Sequence, residues 1–347
     1  MRVALDAMGG DFAPRNTIEG AALALKEFPH LQKLFLVGDR AAIEAELARA
    51  KCTDPRIEIF HTTQVVDMKD EGVAAVRKKK DSSISRAVDL VKKGEADAVV
   101  SAGHTGAAVA ASTIKLRTLP GVDRAGIATT IPTESNVFVL IDAGANPDAK
   151  TEHLIQYAIM GSVYSRHVLG CKYPSIGLMS IGSEDNKGSE GTKEVFKMLK
   201  ASSLNFRGNI EGHDLFERPV DVVLCEGFVG NVVLKSVEAL AHAIFAWLKH
   251  ELKKNPLRMA GAFLAKGAFQ AIKGKIDVDQ YGGSALLGVD GICIIAHGSS
   301  SALAIRSAIR TALESIHHQV NPHIVEEVKN YYAKQHPSVP VAVAPSV

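Results

Sequence analysis

Six short stretches of this chain combine glycine with hydroxyl, amide and charged side chains: DAMGGD (residues 6–11), SAGHTGA (101–107), DAGAN (142–146), SIGSEDNKGSEGT (180–192), EGFVGN (226–231) and AHGSSS (296–301). Each follows an apolar run and precedes a helical pattern. Small residues there let backbone N–H groups approach an anion, and a helix N-terminus adds donors and a favourable dipole. Asp6, Gly9, Gly10, Asp11, Ser101, Gly103, Thr105, Gly106, Asp142, Asn146, Ser183, Gly227, Gly230 and Ser299 are therefore candidates for binding phosphate or substrate. His104, Lys187, Asn231 and His297 are the candidates for catalysis. His104 is a general base or an anion donor, Lys187 neutralises phosphate between two glycines, and His297 precedes a helix start. A bland alternative stands beside each: glycine serves turn geometry, a histidine at a helix start contacts backbone, and a loop lysine is solvated. Six such turns are expected to share one edge of a sheet, where they would form a single cradle.

Other chemistries lack their signatures. GxxxxGK[ST], GxGxxG after a strand, HExxH and GxSxG are absent, which removes support for ATP hydrolysis, dinucleotide binding, metalloprotease and α/β-hydrolase chemistry. No cofactor and no metal are expected. Forty Lys+Arg against 38 Asp+Glu leave +2, so no field marks a nucleic-acid partner. Four cysteines far apart, with no CxxC, fit a reducing cytoplasm better than a disulfide framework or a zinc site. The N-terminal MRVALDAMGGD does not read as a targeting peptide, and no run of ~18 uninterrupted apolar residues reads as a span, so an intracellular, soluble chain is expected.

These turns must be positioned by elements. Apolar, β-rich runs at 2–8, 33–38, 56–61, 97–102, 126–131, 137–142, 175–181, 221–225 and 291–296 read as strands. Patterns at 16–28, 41–50, 84–93, 105–117, 153–169, 191–200, 231–253 and 300–318 read as helices. The alternation predicts an α/β fold: a three-layer α/β/α arrangement around a doubly wound, mostly parallel sheet. The gap between 126–131 and 137–142 is too short for a parallel crossover, so an antiparallel hairpin is expected there. With 46% hydrophobic residues and no linker, residues 1–335 are expected to form one domain, with a helical insert at about 236–275 and a flexible tail at 336–347.

Read together, the motifs resemble the bacterial phosphate acyltransferase family usually called PlsX. The likeness runs from ALDAMGGDFAP (4–14) through MKDEG (68–72), KKDSSI (79–84), SAGHTGA, PGVDRAGIAT (120–129), DAGANPDAKTEHLIQYAIMG (142–161), NFRGNIEGHDLF (205–216), CEGFVGNVVLK (225–235) and YGGSALLGVDGICI (281–294) to IIAHGSSSALAI (294–305). The family usually carries Asn at the place of His104. The resemblance implies a fold similar to isocitrate and isopropylmalate dehydrogenases and to phosphotransacetylases, and a homodimer. It implies reversible transfer of a fatty acyl group from acyl carrier protein to orthophosphate, the acyl phosphate feeding phospholipid synthesis through a membrane glycerol-3-phosphate acyltransferase. A phosphotransacetylase-like enzyme using acyl-coenzyme A is the alternative. Orthophosphate is already a nucleophile, so a site of donors without an activated side chain suits the reaction.

Two basic segments suit such partners. Arg77, Lys78, Lys79 and Lys80 could meet an acidic carrier protein, or form a solvated run. Residues 249–275 hold seven Lys/Arg and one acid, Glu251, with Phe263 and Leu264 on an apolar face and Phe269 among the lysines. That mixture fits peripheral membrane contact through Phe263, Leu264 and Phe269, and hence a cytoplasmic, peripherally membrane-associated protein; packing in a dimer is the alternative.

Overall fold

A computed structural model describes residues 1–134, 136–217, 220–276 and 282–335. The tail expected at 336–347 and Tyr281 of the YGG motif lie outside the described residues. Eleven strands form one sheet in the order β3-β2-β1-β4-β11-β10-β5-β6-β9-β7-β8. They are β1 (Arg2–Asp6), β2 (Lys33–Gly38), β3 (Ile57–His61), β4 (Ala98–Ser101), β5 (Gly126–Pro132), β6 (Val137–Ile141), β7 (Ile176–Met179), β8 (Phe206–Ile210), β9 (Val222–Leu224), β10 (Ser284–Leu287) and β11 (Ile292–Ile295).

Successive strand residues point to opposite faces, and both faces are apolar here. Val3, Leu5, Val139, Ile141, Val222 and Leu224 enter one core, while Ala4, Phe138, Leu140 and Val223 enter the other. Helices α1 (Arg15–Glu27), α6 (Thr151–His167), α12 (Ala302–His317) and α13 (Val320–Gln335) cover the first face; α4 (Ser83–Lys92), α5 (Thr105–Leu116) and the base of α9 (Gly227–Leu252) cover the second. The three-layer α/β/α architecture is the one expected.

The expected hairpin is present: β5 pairs antiparallel with β6, Ala128 opposite Ile141 and Pro132 opposite Val137. Its consequence overturns the single cradle. Strands β1, β2, β3, β4, β11 and β5 run one way, and β10 lies antiparallel between β11 and β5. After the hairpin, β6, β9, β7 and β8 are mutually parallel but run the other way. The turns after β1, β4 and β11 therefore open on one edge, here the upper edge. Those after β6, β7 and β9 open on the lower edge, about 15 Å across the sheet.

Strands β8 and β10 and helices α3 (Gly72–Lys78), α8 (Asp214–Glu217) and α13 were not expected, and α10 (Pro256–Leu264) and α11 (Lys266–Ile276) were expected only as an undivided helical insert. FRGNI and SALL are short and flanked or broken by glycine, and the Asn-Pro dipeptide at 321–322 mimics a stop inside α13. The insert expected at 236–275 is the distal half of α9 followed by α10 and α11. Asn255 caps α10, accepting from Arg258 N–H at 2.9 Å, and Pro256 occupies its first turn.

Helix α9 is, by length and composition, apolar enough to cross a membrane, yet only 6% of its most apolar window is buried. Its first turn is locked to the lower edge. Gly227 lies against Asn146 and the Asp142 carboxylate, and a Cβ at Gly230 would collide with the Asp142 carbonyl oxygen. From there α9 climbs the sheet face, Val229, Val233, Leu234 and Val237 meeting the core, and passes beyond the upper edge. Gly230→Ala should lower the unfolding free energy by about 1–3 kcal/mol in urea melts. Gly261→Ala in α10, whose Cβ meets nothing, should leave it unchanged or raise it by about 0.5–1 kcal/mol.

Candidate active site

Three turns interlock at the upper edge. Ser101 at the end of β4 donates its hydroxyl to Asp6 Oδ2 at 2.7 Å and accepts Gly103 N–H at 3.1 Å. Asp11 N–H donates to the Gly298 carbonyl at 2.8 Å, and Asn16 Nδ2 to the Ser300 carbonyl at 3.0 Å. The backbones touch so closely that side chains do not fit. A Cβ on Gly9 would lie 2.7 Å from Gly103 N, and one on Gly10, at φ +109°, 3.0 Å from the Gly298 oxygen. Asp6 is buried, and burial pushes its carboxyl above the usual range against hydrogen bonds from Ser83, Ser101 and the 8–9 turn.

Helix α5 starts at this edge, with Thr105 and Gly106 exposed, so its first free N–H groups face outward. Helix α12 starts beside it, capped by Ser301 accepting from Ala304 N–H at 3.2 Å. His104 is the N-cap of α5, and its Nδ1 accepts Ala107 N–H at 3.2 Å. The Nδ1 of His297 likewise accepts Ser299 N–H at 3.2 Å and lies 2.8 Å from Ser299 Oγ. A backbone N–H can only donate, so each ring holds its proton on Nε2 and offers that Nε2–H as a donor. Histidine and helix start thus serve one purpose.

Sequence reading missed a fourth wall. Helix α3 butts its first residue against α5: a Cβ at Gly72 would lie 2.7 Å from the Gly106 carbonyl carbon. Lys79 Nζ, which donates to Asp70 Oδ2 at 2.6 Å and to the Val65 carbonyl at 2.9 Å, closes the 65–79 loop. The signal was a seven-residue helical stretch beginning with a glycine, too short to register as an element.

The remaining candidates occupy the lower edge, where polar groups satisfy one another. Asp142 is fully buried; Oδ1 accepts N–H groups of Ile127, Gly144 and Ala145 at 2.9–3.0 Å, and Oδ2 accepts Asn146 N–H at 2.7 Å. Burial nonetheless raises its pKa. Asn146 Nδ2 donates to the Ala125 carbonyl at 2.6 Å and to the Tyr157 hydroxyl at 2.7 Å. With Gly227 and Gly230 packed against them, Asp142 and Asn146 hold α9 to the sheet. Asn231 is exposed beside Gly144. Lys187 is exposed 4.0 Å from Glu184, and Ser183 lines a polar groove of about 540 Å³ with Arg207 and His213. The structure brings together Asp6, Gly9, Gly10, Asp11, Ser101, Gly103, His104, Thr105, Gly106, His297 and Ser299. It sets Asp142, Asn146, Ser183, Lys187, Gly227, Gly230 and Asn231 apart from them on the opposite edge.

The family model described as "Fatty acid synthesis protein" matches residues 1–323. A phosphate acyltransferase of Akkermansia muciniphila is 53% identical over 334 residues, covering 94% of this chain and 96% of the relative. The chain belongs to this family. The phosphate acyltransferase of Geobacter sulfurreducens is 46% identical over 347 residues, covering 99% of this chain and all of the relative. Membership makes the chain an acyltransferase of fatty acid and phospholipid synthesis. Its fold is similar to a phosphotransacetylase from Streptococcus pyogenes (TM-score 0.63, 18% identity, 91% of this chain and 94% of that one). It is also similar to a branched-chain phosphotransacylase from Enterococcus faecalis (TM-score 0.58, 16% identity, 92% and 99%).

The double duty of His104 yields a test. Asparagine caps helices well and carries both an acceptor and a donor, so His104→Asn should keep turnover within about threefold. His104→Leu removes both: a tenfold or greater fall in kcat and about 1 kcal/mol of stability, read by steady-state kinetics and urea melts.

Proposed function

We propose that the upper-edge cradle binds orthophosphate and an acyl thioester and transfers the fatty acyl group from acyl carrier protein to phosphate. The observation that carries this reading is the convergence there of the α5 start with the Nε2–H donors of His104 and His297, on backbone turns too tight for side chains. A phosphate oxygen attacks the thioester carbonyl carbon, and the carbonyl oxygen becomes an oxyanion held by N–H donors. Collapse of the tetrahedral intermediate breaks the C–S bond. The pantetheine thiol, with an ordinary pKa near ~8.5, leaves as thiolate and takes its proton from solvent. The acyl phosphate remains. No side chain forms a bond, so donor placement and approach geometry supply the catalysis.

Carrier protein fits the rim better than free coenzyme A. Arg77, Lys78 and Lys80 stand exposed on and just past α3, next to exposed Met68 and Val73, and α3 abuts the cradle. An acidic protein delivering a phosphopantetheine arm finds both charge and apolar contact there. The assay is direct: long-chain acyl carrier protein and acyl-coenzyme A are offered with phosphate, and acyl phosphate is trapped with hydroxylamine. Phosphate-dependent product with at least tenfold higher kcat/KM for the carrier-protein donor is expected. Equal use of both donors would favour the coenzyme A reading.

A homodimer follows from the family resemblance, and Phe228, Val232 and Trp247, exposed along α9, are apolar surface for a second copy. Peripheral membrane contact, and through it a membrane glycerol-3-phosphate acyltransferase as recipient, rests on the tip. Phe263 and Leu264 are 76% and 86% exposed in α10. Phe269 is half-buried and, together with Phe263, lines an open cavity of about 730 Å³ between α9, α10 and α11, flanked by Lys249, Lys253 and Lys266. Two inserted side chains at about 1.5–3 kcal/mol each, plus about 1 kcal/mol per nearby lysine, make reversible, salt-sensitive attachment. Flotation with anionic vesicles should carry the wild type at low salt and lose most of it for Phe263→Ser/Leu264→Ser; equal flotation of both would remove α10 from the membrane.

A further inference from the structure

The acyl-transfer reading leaves the bulkiest part of its substrate, the fatty chain, without a place. The cradle has none, being built of glycine, serine and histidine. We propose that the chain lies in the apolar groove between the β5–β6 hairpin and the rising face of α9. This groove, about 390 Å³, is lined by Ile131 and Pro132 of β5, Phe216, and Leu234, Val237 and Ala241 of α9.

Three observations select this occupant. The first is position. Pro132 ends β5 at the upper edge, and β5 is separated from β11 only by β10, so the groove opens two strand spacings, about 10 Å, from the turn carrying His297. The second is length and direction. From Leu234 to Ile244 the helix rises about 15 Å, away from the sheet and toward the exposed Phe263 and Leu264 of the tip. A chain with its thioester in the cradle and its tail along α9 leaves, as acyl phosphate, toward the same end.

The third is charge. The charged residues lining the groove are Glu134 and Glu238, the latter paired with Lys235 at 2.8 Å, and among the described residues no cation lines it. An anionic headgroup finds no counter-charge there, whereas a neutral hydrocarbon needs none. The cavity farther along α9, with its three lysines, has the opposite character. Leu240 and Ile244 remain 57% and 50% exposed, apolar area that a bound chain would cover.

This inference rests on the acyl-transfer reading, and its test separates the two. Ala241→Phe fills the groove midway, and Ile244→Trp fills it three residues, about 4.5 Å, farther along. For each protein kcat/KM is measured with a series of acyl carrier proteins from hexanoyl to octadecanoyl, acyl phosphate being trapped with hydroxylamine. Ala241→Phe should lower the long-chain to short-chain ratio at least tenfold. Ile244→Trp should impose a cut-off at longer chains than Ala241→Phe. An unchanged ratio in both variants overturns the groove while leaving the reaction standing. Equal loss on all chain lengths with a halved mass by light scattering also overturns it, and assigns this face to a second copy. Absence of acyl phosphate from the wild type with every donor overturns the reaction itself.

Discussion

Backbone against backbone, at separations that exclude a Cβ, is the constraint on which the upper edge depends. Gly9 lies on Gly103, Gly10 on Gly298 and Ala102, and Gly72 on Gly106. These contacts draw four chain segments, widely separated in sequence, into one wall of peptide groups. They need Asp6 in place, because Ser101 links its carboxylate to the Gly103 N–H. A methyl group at Gly9, Gly10 or Gly72 would move whole turns, since the nearest obstructing atoms there belong to the backbone. The wall presents donors whose positions are set before substrate arrives, as oxyanion and phosphate stabilisation require.

The same chemistry of small residues has a different outcome on the lower edge. There the Asp142 carboxylate takes up four backbone N–H groups and Asn146 reaches a carbonyl and the Tyr157 hydroxyl, so the donors are consumed internally. That cluster fixes the first turn of α9 and, through it, aims the long helix past the sheet. Two glycine-rich edges thus divide the work: one stays open to anions, and the other sets the strut that rises beside it.

Much of this was legible in the sequence because it is local. The apolar run 33–38 coincides with β2, and the 126–142 hairpin followed from a four-residue gap. The glycine turns were recognisable as anion-binding candidates, from DAMGGD to AHGSSS, but all six were grouped on one edge. What escaped is non-local. Strand direction after a hairpin is a property of the whole sheet, so a list of βα turns cannot show that those at 142–146, 180–192 and 226–231 face away from the others. The paired role of His104 was also hidden, since only the fold shows Ala107 N–H occupying Nδ1. At the tip, one helical wheel drawn over 249–275 mixes faces of three helices. The breaks at Asn255 and Ala265 set Phe269, half-buried, on the same open cavity as Phe263, while Leu264 stands outside it.

The account stands on which edge takes phosphate, and a crystal structure of the protein grown with orthophosphate measures that directly. The anion should lie at the upper edge, within about 3 Å of backbone N–H groups of the 9–11, 103–106 and 297–299 turns, with His104 or His297 Nε2 among its donors. Density for phosphate on Lys187 and Asn231 at the lower edge, with the upper turns empty, would contradict it.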